Sequence, residues 1–385
     1  MTLTLRGLGT LVTACVWAVG CGSTSPSGPM DSGVTPDGGQ VVTSGTPTGL
    51  WVDGLYAYSA SQLATTGSPA PEDVCPVPAD GASSFPAAFD AQGNMWAQQA
   101  ADQTLSVILW TADQLTQACS SASPARTVTI NYPVGQISTM AFDAQGTLWL
   151  SFQNDGVLLG LSADQLLANG TVVPAYTVLN GSTFAASLTA PSGMAFDAAG
   201  NLWVGNIYSV LEYKPATLAA ALSATGGSAI TPAPDAYLST LATENAAMNA
   251  PSGVWPSFKY VAFDASGNLW VTGSNLGGAT STDYLAEYTA SALLALSPSN
   301  TTPAAEVSFP ETAEQVANSA SFGAIAFDGA GNLWLGAGTQ LFGYPAANIA
   351  ASGSGVPATV ISGVPFLTGL SLAFNPIPSG LPIKP

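Results

Sequence analysis

Phe196-Asp197-Ala198-Ala199-Gly200-Asn201-Leu202-Trp203 decides the fold, because variants of this stretch occur five times. The other copies run from Phe89 to Trp96, Phe142 to Trp149, Phe263 to Trp270 and Phe327 to Trp334. The successive Asp residues are 53, 54, 67 and 64 positions apart, room for one four-stranded blade per period in a repeat architecture. Each copy reads as a strand ending in Phe-Asp, a Gly-containing turn, and a second strand that carries Trp. The Asp carboxylate accepts backbone N–H groups a few residues on and Gly supplies a positive φ, so the five Asp read as turn-formers rather than ligands or catalysts. The five Trp, repeated at one register, read as packing between blades.

A second motif follows in six copies, starting at Tyr58, Trp110, Leu161, Tyr213, Tyr288 and Tyr344 and ending five residues later at Leu63, Leu115, Leu166, Leu218, Leu293 and Ile349. Ser59, Thr111 and Ser162 have Gln62, Gln114 and Gln165 three residues on, which is a capping box with a hydrophobic staple around it. Pro215 suits the first turn of a helix in the fourth copy. A third strand therefore ends in a short helix in each blade. Segments starting at Pro124, Pro174, Pro303 and Pro357 read as outer fourth strands, where a missing N–H is tolerated.

Only five copies of the first motif match six of the second. Leu370-Ser-Leu-Ala-Phe374-Asn375 and Gly49-Leu50-Trp51-Val52 supply the missing halves, so the sixth blade is split and its assembly removes the open edges. The expected fold is all-β: a six-bladed β-propeller of four-stranded antiparallel blades, closed by pairing of N- and C-terminal strands, with short helices between third and fourth strands.

Ala190-Pro-Ser-Gly-Met-Ala-Phe-Asp-Ala-Ala-Gly-Asn-Leu-Trp-Val204 and Ala250-Pro-Ser-Gly253 resemble the repeats of NHL and streptogramin-lyase-like propellers. The resemblance runs from about Thr48 onward and speaks for the fold, since one fold hosts many activities. Streptogramin lyases imply a His acid/base and paraoxonase-like lactonases a His pair. This chain has no His, so neither site carries over and a His-ligated zinc is excluded. Gluconolactonase and regucalcin propellers imply a divalent metal held by Glu, Asn and Asp at the channel mouth. Here Asp53, Gln99, Asn154, Asp155, Asn206, Asn275 and Asp283 follow second strands and offer oxygen for Ca²⁺ or another hard cation.

Residues 1–21 read as a leader: Arg6 precedes a 14-residue run from Gly7 to Gly20, too short to span a membrane and suited to a signal h-region. Ala18-Val19-Gly20-Cys21 resembles a lipobox, which implies acylation of Cys21, and Gly22 after it leans toward the outer membrane. Cys15 offers a looser match, and an ordinary secretory leader is the alternative. Residues 22–46, rich in Ser, Gly, Pro and Thr, read as a flexible tether, and 47–385 as the propeller.

Five Lys+Arg against 23 Asp+Glu give a net charge of −18, which repels phosphate backbones and anionic lipid and excludes nucleic acid as a partner. Cys75 and Cys119 are expected to form a disulfide in an oxidising compartment, two buried thiols being the alternative. Long connections at Ser239–Lys259, Gly273–Asp283 and Pro310–Phe322 belong to neighbouring blades and are expected to form one wall. With Asn206 they nominate Glu244, Asn249, Trp255, Asn275, Asp283 and Glu311 as ligand-binding residues, a mix suited to a sugar, peptide or cation. The expectation is an exported, lipid-anchored monomer that binds an extracellular small molecule, glycan or protein without a cofactor. A metal-dependent lactonase or hydrolase, a structural envelope protein, and a periplasmic or secreted location are the alternatives.

Overall fold

In the hairpin around Asp264, one carboxylate oxygen accepts the N–H groups of Ser266 and Asn268, both at 2.9 Å, and the other accepts Asn268 Nδ2 at 3.0 Å and Trp270 Nε1 at 3.2 Å. Asp90, Asp197 and Asp328 make the same four bonds. Asp143 makes three, because Thr147 stands where the others have Asn. The repeated Asp thus fixes its turn and the rotamer of the Trp six residues on. Gly267 closes the turn at φ +79°, a conformation that costs glycine nothing.

These hairpins belong to a computed structural model that describes residues 49–75, 86–101, 104–117, 123–179, 187–223, 232–239, 255–276, 282–297, 307–310, 321–352, 355–365 and 371–375. The leader, the tether and Cys21 lie outside the described residues.

Six sheets form, one per repeat, each with four antiparallel blade strands, and a short strand from blade 3, Gly170–Val172, adds in parallel to the outer edge of blade 2. Blade 1 runs, from the axis outward, Leu372–Asn375, Gly49–Val52, Tyr56–Ser59, Asp73–Val74. Blade 2 is Ala87–Phe89, Met95–Ala101, Thr104–Trp110, Arg126–Ile130, and blade 3 is Thr139–Phe142, Leu148–Phe152, Val157–Leu161, Tyr176–Leu179. Blade 4 is Met194–Phe196, Leu202–Asn206, Ser209–Tyr213, Ala236–Leu238. Blade 5 is Trp255–Phe263, Leu269–Leu276, Thr282–Tyr288, Val307–Pro310, and blade 6 is Phe322–Phe327, Leu333–Ala337, Gln340–Tyr344, Thr359–Ser362.

The six innermost strands touch in a closed ring, blade 6 meeting blade 1. Gly49 pairs with Asn375 and Trp51 with Ala373, so the split blade closes the ring as its two half-motifs demand. The chain is a six-bladed propeller.

Packing between blades follows the motif. Trp51, Trp96, Trp203 and Trp270 each meet the Phe of the next blade's Phe-Asp pair edge-on, Phe89, Phe142, Phe263 and Phe327, with ring centroids 5.9–6.5 Å apart. Such pairs add about 0.5–1.5 kcal/mol each beyond the area they bury. Trp149 instead meets Tyr176 of its own blade. Capping boxes are present at Ser59, Thr111 and Ser162, and the residue that completes the staple, Leu63, Leu115 or Leu166, is buried in each case. Two of the short helices, Ala163–Leu166 and Ala346–Asn348, are 3₁₀ rather than α, tolerable for a single turn.

One expectation needs correction. The ends of the segments read as long loops are strand: Trp255–Lys259 continues the innermost strand of blade 5, and Gly273–Leu276 with Thr282–Asp283 extends its hairpin. The pattern hid this because an irregularity between Phe258 and Val261 breaks the alternation, and a bulge of this kind shifts which face a side chain takes.

Candidate functional site

Four of the six hairpins formed by second and third strands have strands of four or five residues. Those of blades 2 and 5 are longer, Met95–Ala101 with Thr104–Trp110 and Leu269–Leu276 with Thr282–Tyr288. At about 3.3 Å per residue the two or three extra residues lift each tip by roughly 7–10 Å. In a six-membered ring, second and fifth blades stand opposite one another. Two raised walls therefore face each other across the channel mouth.

The floor between them is tightly bonded. Ser371 Oγ donates to Ala87 O at 3.1 Å, Ser151 Oγ to Ser192 O at 3.1 Å, and Thr272 Oγ1 to Gly323 O at 3.0 Å. Each bond ties one blade to the next. Gln98 Oε1 accepts Ile137 N at 3.0 Å, again across a blade boundary. Gly193 N donates to Lys259 O at 2.9 Å, and a Cβ on Gly205 would fall 2.1 Å from that same carbonyl oxygen. Blade 4 can approach the bulge of blade 5 only because it offers glycine there.

The sequence candidates fall into three groups. Asn206 and Asp283 are buried and tie loops together. Asn206 has no exposed surface; its Oδ1 accepts Ala190 N at 2.7 Å and its Nδ2 donates to Ser187 O at 2.8 Å. Asp283, 3 % exposed, accepts Ser274 Oγ and the N–H of Phe322 in blade 6, with Lys259 Nζ 3.8 Å away. Trp255 and Asn275 are placed by backbone alone, in register with Leu276 and Pro256 on the raised part of blade 5. Glu244, Asn249 and Glu311 lie outside the described residues.

Of the remaining oxygen donors, Asp53 is buried at φ 51° and accepts Ser371 N, while Asp155 accepts Gly135 N at 2.9 Å. Gln99 lies on the raised strand of blade 2 and Asn154 is exposed in the turn of blade 3. Among the described residues no three of His, Cys, Asp and Glu stand close enough to share a metal ion. Cys75 is disulfide-bonded, and Cys119, its expected partner, lies outside the described residues.

Sequence reading missed Lys259 and Tyr260. Lys259 keeps a quarter of its side-chain surface exposed beside a buried carboxylate, so it can meet a ligand while its charge is locally balanced. Burial pushes the Tyr260 phenol up from its ordinary range, and the carboxylate of Asp53 in blade 1 adds to the shift. The available signal was a lone cation next to an aromatic in a chain with five Lys and Arg. The hydroxyls and amides of the floor are buried and bonded to backbone groups, so they hold the blades together, and of the side chains named on the floor Lys259 keeps the exposed surface.

No family model matches the chain, and no curated protein matches it. Solved structures similar to it include a catalytically inactive variant of virginiamycin B lyase from Staphylococcus aureus with quinupristin, at 8 % identity and TM-score 0.40, covering 68 % of this chain and 67 % of that one. A streptogramin B lyase is 10 % identical with TM-score 0.35, covering 68 % of this chain and 65 % of that one. The extracellular domain of a hybrid two-component system from B. thetaiotaomicron is 13 % identical with TM-score 0.40; the match covers 74 % of this chain and 31 % of that one. Likenesses this distant lend the chain no activity. Its fold rests on its own strand pairing.

Proposed function

We propose that the protein is a non-enzymatic binding module of the bacterial cell envelope, and that its ligand lies across the channel mouth between the raised hairpins of blades 2 and 5. The observation that carries this is the opposition of those two raised hairpins, with the partly exposed Lys259 on the innermost strand of blade 5. Glycans and extended peptides suit two facing walls, being long enough to touch both. A chain without His lacks the commonest acid/base, and Asp53, Asp155 and Asp283 each commit oxygen to a backbone N–H.

Export, and a lipid on Cys21 that holds the module on the outer membrane through the 22–46 tether, belong to the same reading. The lipobox-like Ala18-Val19-Gly20-Cys21 supports it, and so does the disulfide at Cys75, which suits an oxidising compartment. Labelled palmitate is expected in the wild type and in Cys15→Ala but not in Cys21→Ala. The reverse pattern moves the anchor to Cys15, and no label in any form rejects it.

The site is tested by applying the chain from residue 47 to an array of cell-surface glycans and peptides. Retention that is lost at least tenfold in Lys259→Ala and in Trp255→Ala, with melting unchanged, supports the cleft. No retention by the wild type, or retention untouched by either change, rejects it.

A further inference from the structure

Blades 3 and 6 put glycine where the third strand passes the repeated Trp: Gly160 stands opposite Trp149 and Gly343 opposite Trp334. The other blades have Ala57, Leu109, Glu212 and Glu287 at that register. A glycine there leaves space beside the indole. Blade 3 fills it from its fourth strand. Tyr176, the partner of Gly160, lies over the glycine, where a Cβ would come 2.8–3.0 Å from three of its atoms, and its ring meets Trp149 with centroids 5.2 Å apart. Blade 6 has Thr359 as the partner of Gly343, so its fourth strand brings no ring.

Trp334 itself settles onto Gly343, three of its ring carbons lying 2.9–3.2 Å from where a Cβ would be. Among the described residues it makes no ring pair with Phe374 of blade 1, whereas Trp51, Trp96, Trp203 and Trp270 each hold the corresponding Phe. Phe374 is accordingly half-buried, against 3–7 % exposure for Phe89, Phe142, Phe196, Phe263 and Phe327. A cavity of about 560 Å³ opens between blades 6 and 1, with Trp334, Gly343 and Thr359 on one side and Leu63, Ala64 and Phe374 on the other. Small-molecule sites span roughly 300–1,000 Å³. Asp328 borders the cavity too, but its two oxygens already accept four donors, and among the described residues no Lys or Arg lines it.

We propose that this cavity binds a small uncharged aromatic molecule, whose ring takes against Trp334 the place that Tyr176 takes against Trp149. The repeat supplies the template, since both blades share the Trp and the glycine and differ in the residue that should cover them. Aromatic rings favour tilted or offset contacts with centroids about 4.5–7 Å apart, the relation that blade 3 realises within its own chain. Leu63 and Phe374 give the ligand a second apolar wall. A charged ligand would find no counter-ion that is not already bonded. Asp328 and Asn332 of the turn border the site, which places it at the end of the strands opposite the hairpin tips. It is therefore separate from the cleft between blades 2 and 5.

The probe is p-cresol, the bare ring of tyrosine, with 4-methylcyclohexanol as a control of the same size without aromaticity. The intact chain is labelled with 5-fluorotryptophan, and the Trp334 fluorine resonance among its nine Trp is assigned through Trp334→Phe. A saturable shift of that resonance by p-cresol is expected, with the control binding at least tenfold more weakly. Thr359→Tyr rebuilds the arrangement of blade 3 and is expected to abolish the shift while the melting temperature stays at or above that of the wild type. Should it not fold, Ala64→Phe blocks the cavity from the facing wall and is expected to abolish the shift as well. No saturable shift in the intact chain, equal binding of the control, or a shift that survives the blocking variant overturns the proposal. A Trp334 resonance that moves with protein concentration alone gives the cavity to a second copy and overturns it too.

Discussion

Gly170 bridges Val128 in parallel, carrying the connector of blade 3 onto the outer strand of blade 2. Gly67 does the same from blade 1 onto Ile361 of blade 6. Both glycines stand eight residues after the helix caps, Ser162 and Ser59, and both partners lie opposite equivalent residues of their third strands, Val107 and Leu341. In blade 2 the eighth residue after the cap Thr111 is Cys119. In blade 1, Cys75, whose N–H donates to Leu55 O at 2.9 Å, holds the place of Val128 and Ile361. The blade pattern thus aligns Cys119 with Cys75 where other boundaries have a backbone bridge. Peptide mapping under non-reducing conditions is expected to recover a Cys75–Cys119 pair, and Cys119→Ala to lower stability by about 2–4 kcal/mol in denaturant melts. A free Cys119 thiol in the folded protein would contradict the alignment.

The Asp of the repeat holds more in blade 4 than in blade 3. Asp197 accepts four bonds and Asp143 three. Asp197→Ala leaves the indole N–H of the buried Trp203 and the Asn201 amide without their acceptor, and an unmet buried donor costs about 1–3 kcal/mol. The expected loss is about 2–4 kcal/mol for Asp197→Ala and less for Asp143→Ala, read by urea unfolding. Equal losses would show that the Asn link contributes nothing.

Much of this was legible because the repeat fixes it chemically. Phe-Asp, Gly and Trp each have one task in the hairpin, and the same tasks reappear at the right spacing, so strand order, the short helices and the split blade follow. The channel mouth was harder to read. Lys259 sits in a bulge that breaks the alternation, and Trp255 and Asn275 sit on strand extensions that only length, not pattern, distinguishes from loop. Asn206 and Asp283 look like ligand groups in sequence because Asn and Asp after a strand serve equally to bind or to hold a loop. Their burial and backbone partners, which no single sequence displays, assign the second task.

Glu212 gives a dependence on pH. It is buried, and desolvation raises its carboxyl above the ordinary value, with Lys214 opposing and Asp197 and Asp235 adding to the rise. A pKa higher in the folded than in the unfolded state means that folding favours the protonated form. The fold therefore holds its full advantage at low pH and loses part of it as pH rises and the carboxylate forms. Glu212→Gln, uncharged at every pH, is expected to raise the melting temperature at pH 7 by a few degrees, the gain shrinking toward pH 4. A gain that is flat across this range, or a loss at pH 7, would mean that Glu212 is not strained by its charge.

Closure rests on four residue pairs, Gly49 with Asn375 through Val52 with Leu372. Removing the chain after Leu367 deletes the innermost strand of blade 1, which leaves Gly49–Val52 with an unpaired edge and exposes Phe89 and Trp51 beside it. An exposed edge of this kind pairs with copies of itself. The shortened protein is expected to elute as soluble aggregate in size-exclusion chromatography, whereas a chain cut after Asn375 retains the strand and elutes as the wild type does. Adding a synthetic peptide of residues 368–375 during refolding supplies the missing strand and is expected to restore the monomer peak in part. If the protein cut after Leu367 stays monomeric and melts as the wild type does, strand pairing across the seam is not what holds the ring shut.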